Sequence, residues 1–248
     1  MSPLARGKVI APRNPADSAW FKGLVHAPAG NGKTHLLGTA QEDERTYPMA
    51  FLNWDSGESA LAGLDIDVFD IQEPRDFDDA YDQIKRDPKY KSVGVDSITE
   101  TQINSLFHIL GVDRDRADPD LLAQQDWGIV LIQMRRIVRK FMKAMPKHVF
   151  MTALSKETTI KGVGAAKWPS VQGSFFEELP GVPDVVAYLA NEDVEPDDEH
   201  PLGVQRVLLL HSNPKFGVKC RTPWGQTVPA EIIDPTVGKL LDVLGYKE

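Results

Sequence analysis

Residues Ala27 to Thr34 read Ala-Pro-Ala-Gly-Asn-Gly-Lys-Thr, a spacing suited to holding a chain of phosphates. Gly30 and Gly32 let successive backbone N–H groups turn inward on phosphate oxygens. Lys33 brings charge to the β/γ positions, and the Thr34 hydroxyl is placed to hold Mg²⁺. Ala29, Asn31 and His35 complete the stretch expected to surround the anion. The usual pattern opens on glycine, whereas this chain has Ala27, a change that a residue ending a strand can bear. The apolar run Gly23, Leu24, Val25 precedes the loop and a helix-like segment follows from His35, so the loop joins strand to helix and gains the helix dipole.

Mg²⁺ bound with ATP needs a carboxylate at the end of a second buried strand. Asp96 closes the run Ser92, Val93, Gly94, Val95 and meets that description. A strand-end Asp can also cap the following helix, but the upstream phosphate loop favours the metal role. Hydrolysis further requires a carboxylate that polarises the attacking water. Asp55, just beyond the apolar run Met49 to Asn53, is the favoured residue, with Glu58 in the same short turn and Glu100 one helical turn past Asp96 as competitors.

The elements that must position these groups alternate along the chain. Short apolar runs at Gly23 to His26, Met49 to Asn53, Val68 to Ile71, Ser92 to Asp96, His148 to Ala153 and Val185 to Ala190 are separated mostly by helical patterns. That order predicts an α/β fold, a mainly parallel sheet covered by helices on both faces. Trp127 to Met145 carries Val130, Met134, Ile137, Val138 and Phe141 at helical spacing, and Pro146 closes it. Its other face holds Arg135, Arg136, Arg139, Lys140 and Lys143, most simply a solvated face. Gln205 to His211 and Phe216 to Cys220 flank Ser212 to Lys215 and predict a C-terminal β-hairpin. The acidic stretch Asn191 to His200 lacks periodicity and reads as a solvated loop without a metal site, and a final helix is expected over Pro235 to Leu244.

At 248 residues the chain is expected to form one domain over 1–248, with 1–20 an N-terminal extension suited to subunit contact. A net charge of −8 argues against a wholly basic nucleic-acid-binding surface, so any such contact must come from a local patch. Cys220 is the single cysteine, which excludes an internal disulfide framework. No apolar stretch reaches the length of a signal core or a membrane span, so a cytoplasmic protein with no membrane partner is expected.

Several segments occur in a consistent order: APAGNGKT, SVGVDSITE, the DWG at Asp126 to Gly128 with its Arg-rich helix, KHVFMTALSKE from Lys147, ELPGVPDVVAYL and GVKCRT. Together they resemble the small phage ATPases of the RecA-like single-strand annealing recombinase family, over nearly the whole chain. The resemblance implies a RecA-like P-loop NTPase core that binds ATP, Mg²⁺ and single-stranded DNA and promotes annealing or strand pairing. It also implies a homo-oligomer, ring or filament, and leaves room for a single-strand-binding protein as partner. In the wider RecA family a Glu stands where Asp55 stands here, and in the phage family a His stands at the position of Leu154. Sensing of the γ-phosphate then falls to Thr152 or Ser155. The segment Lys156 to Lys167 occupies the place of a DNA-binding loop, with Lys156, Lys161 and Lys167 for phosphates and Trp168 to stack a base. Lys219 and Arg221 correspond to a basic pair that reaches a neighbouring subunit's γ-phosphate in trans. Other uses of the same core are an ATP-gated DNA-binding module with little turnover, a replication or helicase-loader ATPase, and a small-molecule kinase. The kinase would need an arginine-rich lid, which the sequence does not display.

Overall fold

Both faces of the first strand, β1 (Lys22–Ala27), are buried, so its sequence reads as a continuous run rather than as an alternation. Leu24 enters one core and Val25 another on the opposite face. The computed structural model describes residues 20–54, 61–111, 124–211, 213–221 and 227–246. After β1 come α1 (Lys33–Gly38), β2 (Met49–Asn53), β3 (Asp67–Asp70), α2 (Asp76–Arg86), β4 (Ser92–Asp96), α3 (Ile98–Leu110) and α4 (Gln124–Arg139). The second half holds β5 (His148–Ile160), β6 (Gly164–Pro169), α5 (Phe175–Glu178), β7 (Val185–Asp193), β8 (Val204–Leu209), β9 (Lys219–Cys220), β10 (Glu231–Ile233) and α6 (Val237–Val243).

The strands lie in the order β10-β8-β7-β1-β5-β4-β2-β3, with β6 paired to β5 and β9 to β7. From β7 to β3 every pairing on that path is parallel. Ala27, Asn53 and Asp96 therefore emerge at one edge of the sheet, the edge at which open α/β sheets receive ligands. Helices cover both faces. Phe77, Tyr81 and Ile84 of α2 and Val130, Met134 and Val138 of α4 fill one core. Leu36 and Leu37 of α1 and Leu240 and Leu241 of α6 fill the other. Full burial of a side chain such as Phe77 or Phe150 stabilises the fold by about 1.5–3 kcal/mol relative to exposure.

Local signals set the helix ends. Ser97 caps α3, its Oγ accepting from the Glu100 N–H at 3.3 Å, and left-handed Gly111 (φ 61°) follows the last turn. Thr236 caps α6 in the same way through the Lys239 N–H at 3.1 Å. The expected helix over Trp127 to Met145 is α4 extended by a π turn over Lys140–Ala144. Its basic face is not simply solvated: Arg135 pairs with Glu178, and both Arg136 and Lys140 pair with Asp78.

Three expectations need correction. The segments Gln205 to His211 and Phe216 to Cys220 do not pair as a hairpin. β8 joins β7 and β10, whereas β9 pairs with the start of β7, Val185 opposite Cys220 and Val186 opposite Lys219. β7 offers enough length for both partners on its outer side, and the parallel β1 occupies the other. Second, the lysine-bearing segment after Ala153 is an antiparallel hairpin, β5 with β6, in register from Ser155–Pro169 to Ile160–Gly164. The acidic stretch also begins inside a strand, because Asn191 to Asp193 continue β7 against β8.

Candidate nucleotide-binding site

Between β1 and α1 the chain makes a tight loop whose geometry only glycine tolerates at two points: Gly30 has φ 79° and Gly32 φ 89°. Ala29 and Gly30 are exposed at the apex, His35 is exposed on α1, and Lys33 is buried. The Lys33 ammonium folds back inside the loop and donates to the carbonyls of Pro28 at 2.9 Å and Ala27 at 3.3 Å. Asn31 Nδ2 donates to the Leu189 carbonyl at 3.3 Å and ties the loop to β7. Gly32 O accepts from the Leu36 N–H at 2.9 Å, so the loop runs directly into the helix.

Asp96 answers to the loop across the sheet. The Thr34 hydroxyl donates to Asp96 Oδ2 at 2.5 Å, and the Thr152 hydroxyl of β5 donates to Oδ1 of the same carboxylate. Capping of α3 falls to Ser97, which frees the Asp96 carboxylate to face the loop. Thr152 is fully buried, one strand over from β4, and it is Thr152 rather than Ser155 that reaches the acid. Ser155 Oγ instead meets His26 Nδ1 at 2.8 Å. Burial, helped by the nearby Lys33 charge, pushes the His26 pKa down to about 4 and so keeps its ring neutral.

Thr34 and Asp96 present a hydroxyl and a carboxylate, the hard oxygen donors that suit Mg²⁺. Among the described residues there is no group of three or more His, Cys, Asp or Glu able to hold a metal by themselves.

A family model described as an AAA domain matches residues 20–222, from the strand before the loop to just past β9. The chain belongs to the AAA domain family. No curated protein matches it. As an AAA domain it has a P-loop NTPase fold, a fold that binds nucleotide, usually with Mg²⁺.

Other residues singled out in the sequence are scattered around this AAA domain. Asp55 and Glu58 lie outside the described residues, but Asn53, two positions earlier, stands opposite Asp96 in the β2–β4 register. Glu100 is buried in the first turn of α3. Lys219 and Arg221 are not brought to the loop of their own chain. They sit beside the start of β7, the sheet edge opposite the loop, where Lys219 donates to the Pro183 carbonyl at 2.8 Å and Arg221 to the Gly181 carbonyl at 3.0 Å. Burial, reinforced by neighbouring Arg221, lowers the Lys219 ammonium to about 8.

On the β5–β6 hairpin the four residues expected to meet DNA divide. Lys161 is exposed at the turn, and Lys167 lies over the Tyr188 ring at 5.7 Å. Lys156 points inward, donates to the Val171 carbonyl at 2.7 Å and has its ammonium lowered by burial. Trp168 is anchored: Nε1 donates to the Pro214 carbonyl at 3.0 Å and the ring packs on Phe176 at 5.4 Å. For Lys156 and Trp168 the expectation of a free loop is therefore corrected. Strand pairing turns those side chains onto the body of the domain.

One residue at the loop carries no signal in the sequence. Arg206 of β8 lies against Gly32, its Nε 2.8 Å from where a Cβ at that glycine would stand. Along the chain it is only one more position of a strand, with no spacing that ties it to a loop more than 170 residues earlier. Among the described residues no helix is long and apolar enough to cross a membrane.

Proposed function

We propose that this AAA domain hydrolyses Mg-ATP and couples turnover to single-stranded DNA, promoting annealing or strand pairing in phage recombination. The observation that carries the ATPase part is the shared carboxylate: Asp96 accepts from Thr34 at the end of the phosphate loop and from Thr152 of the neighbouring strand. In this reading Lys33 leaves the loop carbonyls for the β/γ-phosphates, and Thr34 and Asp96 hold the ion's inner and outer shells. Bound Mg²⁺ neutralises charge on the phosphates. Asp55, two residues past Asn53 in the sequence, orients the water. The DNA part rests on the ordered resemblance and on the cations of the β5–β6 hairpin, above all Lys161 at its exposed turn. Placement of Lys219 and Arg221 at the far edge supports a role on a neighbour's phosphates, which makes full activity depend on assembly of a ring or filament.

The test is an ATPase titration with and without single-stranded DNA at several protein concentrations. A DNA-stimulated rate that rises cooperatively with protein, and that is lost in Lys33→Ala, is expected. No turnover with DNA present, together with wild-type annealing by Lys33→Ala, would refute the motor reading. Leu154, apolar where a polar sensor stands in the resembled family, favours a second reading in which ATP only gates DNA binding. Full annealing with a non-hydrolysable ATP analogue would select it.

A further inference from the structure

Arg206 crosses from β8 to the phosphate loop. Its strand position opposite Asn191 of β7 is held at the backbone, where its carbonyl accepts from the Asp234 N–H at 2.8 Å. The guanidinium then lies on Gly32, with Nε 2.8 Å and Cζ 3.1 Å from the point a Cβ would take. Glycine at 32 thus serves two ends, the positive φ and the approach of this side chain. Arg206 is partly buried, and among the described residues its guanidinium makes no hydrogen bond or ion pair with the protein and stays open to solvent. A guanidinium fork that no protein group occupies matches phosphate oxygens in pairs.

A cavity of about 690 Å³ opens beside it, lined by Asn191, His200, Leu202, Val204, Arg206 and Asp234. Its polar wall is fixed, since His200 Nε2 lies 2.9 Å from Asp234 Oδ2 and Nδ1 lies 3.2 Å from Asp197 Oδ1. Its apolar wall is uncovered: Leu202 is 89% and Val204 41% exposed. Apolar surface with a few fixed polar groups is the character of a site for a flat heterocycle and its sugar.

We infer that Arg206 is a phosphate-contacting residue of its own chain's nucleotide site and that the cavity beside it receives the nucleoside. The inference rests on the nucleotide reading and adds to it a cation supplied in cis, from the strand that also forms the cavity. The loop and Lys33 hold the phosphates from one side, Arg206 closes on them from the other, and the base and sugar follow into the space beyond.

Two ligands separate the two halves of the claim: Mg-ATP, followed by a fluorescent analogue, and inorganic tripolyphosphate as its competitor. Arg206→Ala is expected to weaken both by about ten- to a hundredfold, the loss of a hydrogen bond to a charged group. Arg206→Lys should recover part of it. Asn191→Trp, which fills the cavity, should weaken Mg-ATP and leave tripolyphosphate unchanged. Thermal unfolding of each variant in the absence of ligand verifies that it is folded, and Arg206→Gln serves if the alanine variant is not. Arg206→Ala binding tripolyphosphate as the parent does, while Lys33→Ala loses it, would overturn the inference and leave the ATPase reading standing. A parent protein that binds neither ligand would overturn both.

Discussion

Replacing Thr152 by Val removes one hydroxyl from a fully buried position and leaves the shape of the side chain. The hydroxyl donates to Asp96 Oδ1, while Oδ2 keeps its bond from Thr34. A hydrogen bond to a carboxylate contributes about 1.5–3 kcal/mol. Asp96 is only partly buried, so water can replace part of that bond and the lower end, about 1.5 kcal/mol, is expected. Thr34→Val removes the matching bond and should cost about as much in the absence of nucleotide. The two variants should then part company. Thr34 is the residue placed for the ion's inner shell, so Thr34→Val should raise the Mg²⁺ concentration needed for turnover. Thr152→Val should leave that requirement near the parent's and lower kcat/KM by about tenfold, the same 1.5 kcal/mol expressed in the transition state. Urea unfolding without nucleotide measures the first quantity and ATPase rates across an Mg²⁺ titration the second. Thr152→Val within about 0.5 kcal/mol of the parent and fully active would refute the argument, as would identical Mg²⁺ curves for the two variants.

Burial holds His26 and His148 at about pH 4, and His148 Nδ1 accepts the Phe21 N–H at 3.0 Å. Their folded pKa values lie below the unfolded 6.5, so their stabilisation is complete above pH 6.5 and lost as pH falls toward 4, at about 3 kcal/mol each. His200 works in the opposite sense because Asp234 raises it, so the cleanest readout is the flatter pH dependence of His148→Gln in urea unfolding between pH 7 and 4.5. Arg45, 12% exposed, links Asp43, Asp242 and the Tyr246 carbonyl, and Arg45→Ala should cost about 3 kcal/mol by denaturant unfolding. A loss under about 0.5 kcal/mol would mean that the C-terminal helix is held by its apolar face alone. For the DNA reading, Lys161→Ala with Lys167→Ala should lower the salt dependence of single-strand affinity by about 1.4 in log–log slope, about 0.7 for each phosphate no longer neutralised, whereas an unchanged slope would place the DNA elsewhere.

Much of the site is legible in sequence because its requirements are local. Positive φ at Gly30 and Gly32, a lysine and a hydroxyl directly after them, and a strand before them are all set within a dozen residues. Asp96 is legible for a similar reason: a parallel strand that ends in an acid delivers it to the ligand edge, whichever strands lie beside it. The six apolar runs from Gly23 to Ala190 became β1, β2, β3, β4, β5 and β7; all but the half-exposed edge strand β3 are mainly buried on both faces, a signature that needs no knowledge of their partners.

Pairing across long separations is a different matter. Thr152 and Ser155 are equivalent candidates until β5 is laid beside β4, when one faces Asp96 and the other His26. Trp168 and Lys156 read as a free aromatic and a free cation until β6 folds back on β5 and turns them onto Phe176. Segment Phe216 to Cys220 has the pattern of a partner for β8 and is instead the partner of β7, a choice made by which strand had an open edge. The sequence by itself determined a phosphate loop, a strand-end acid and an α/β sheet, since those depend on backbone conformation and side-chain period. Only the tertiary structure brought Thr152 to that acid and Arg206 to that loop, because contacts between distant strands depend on which strands the sheet sets side by side.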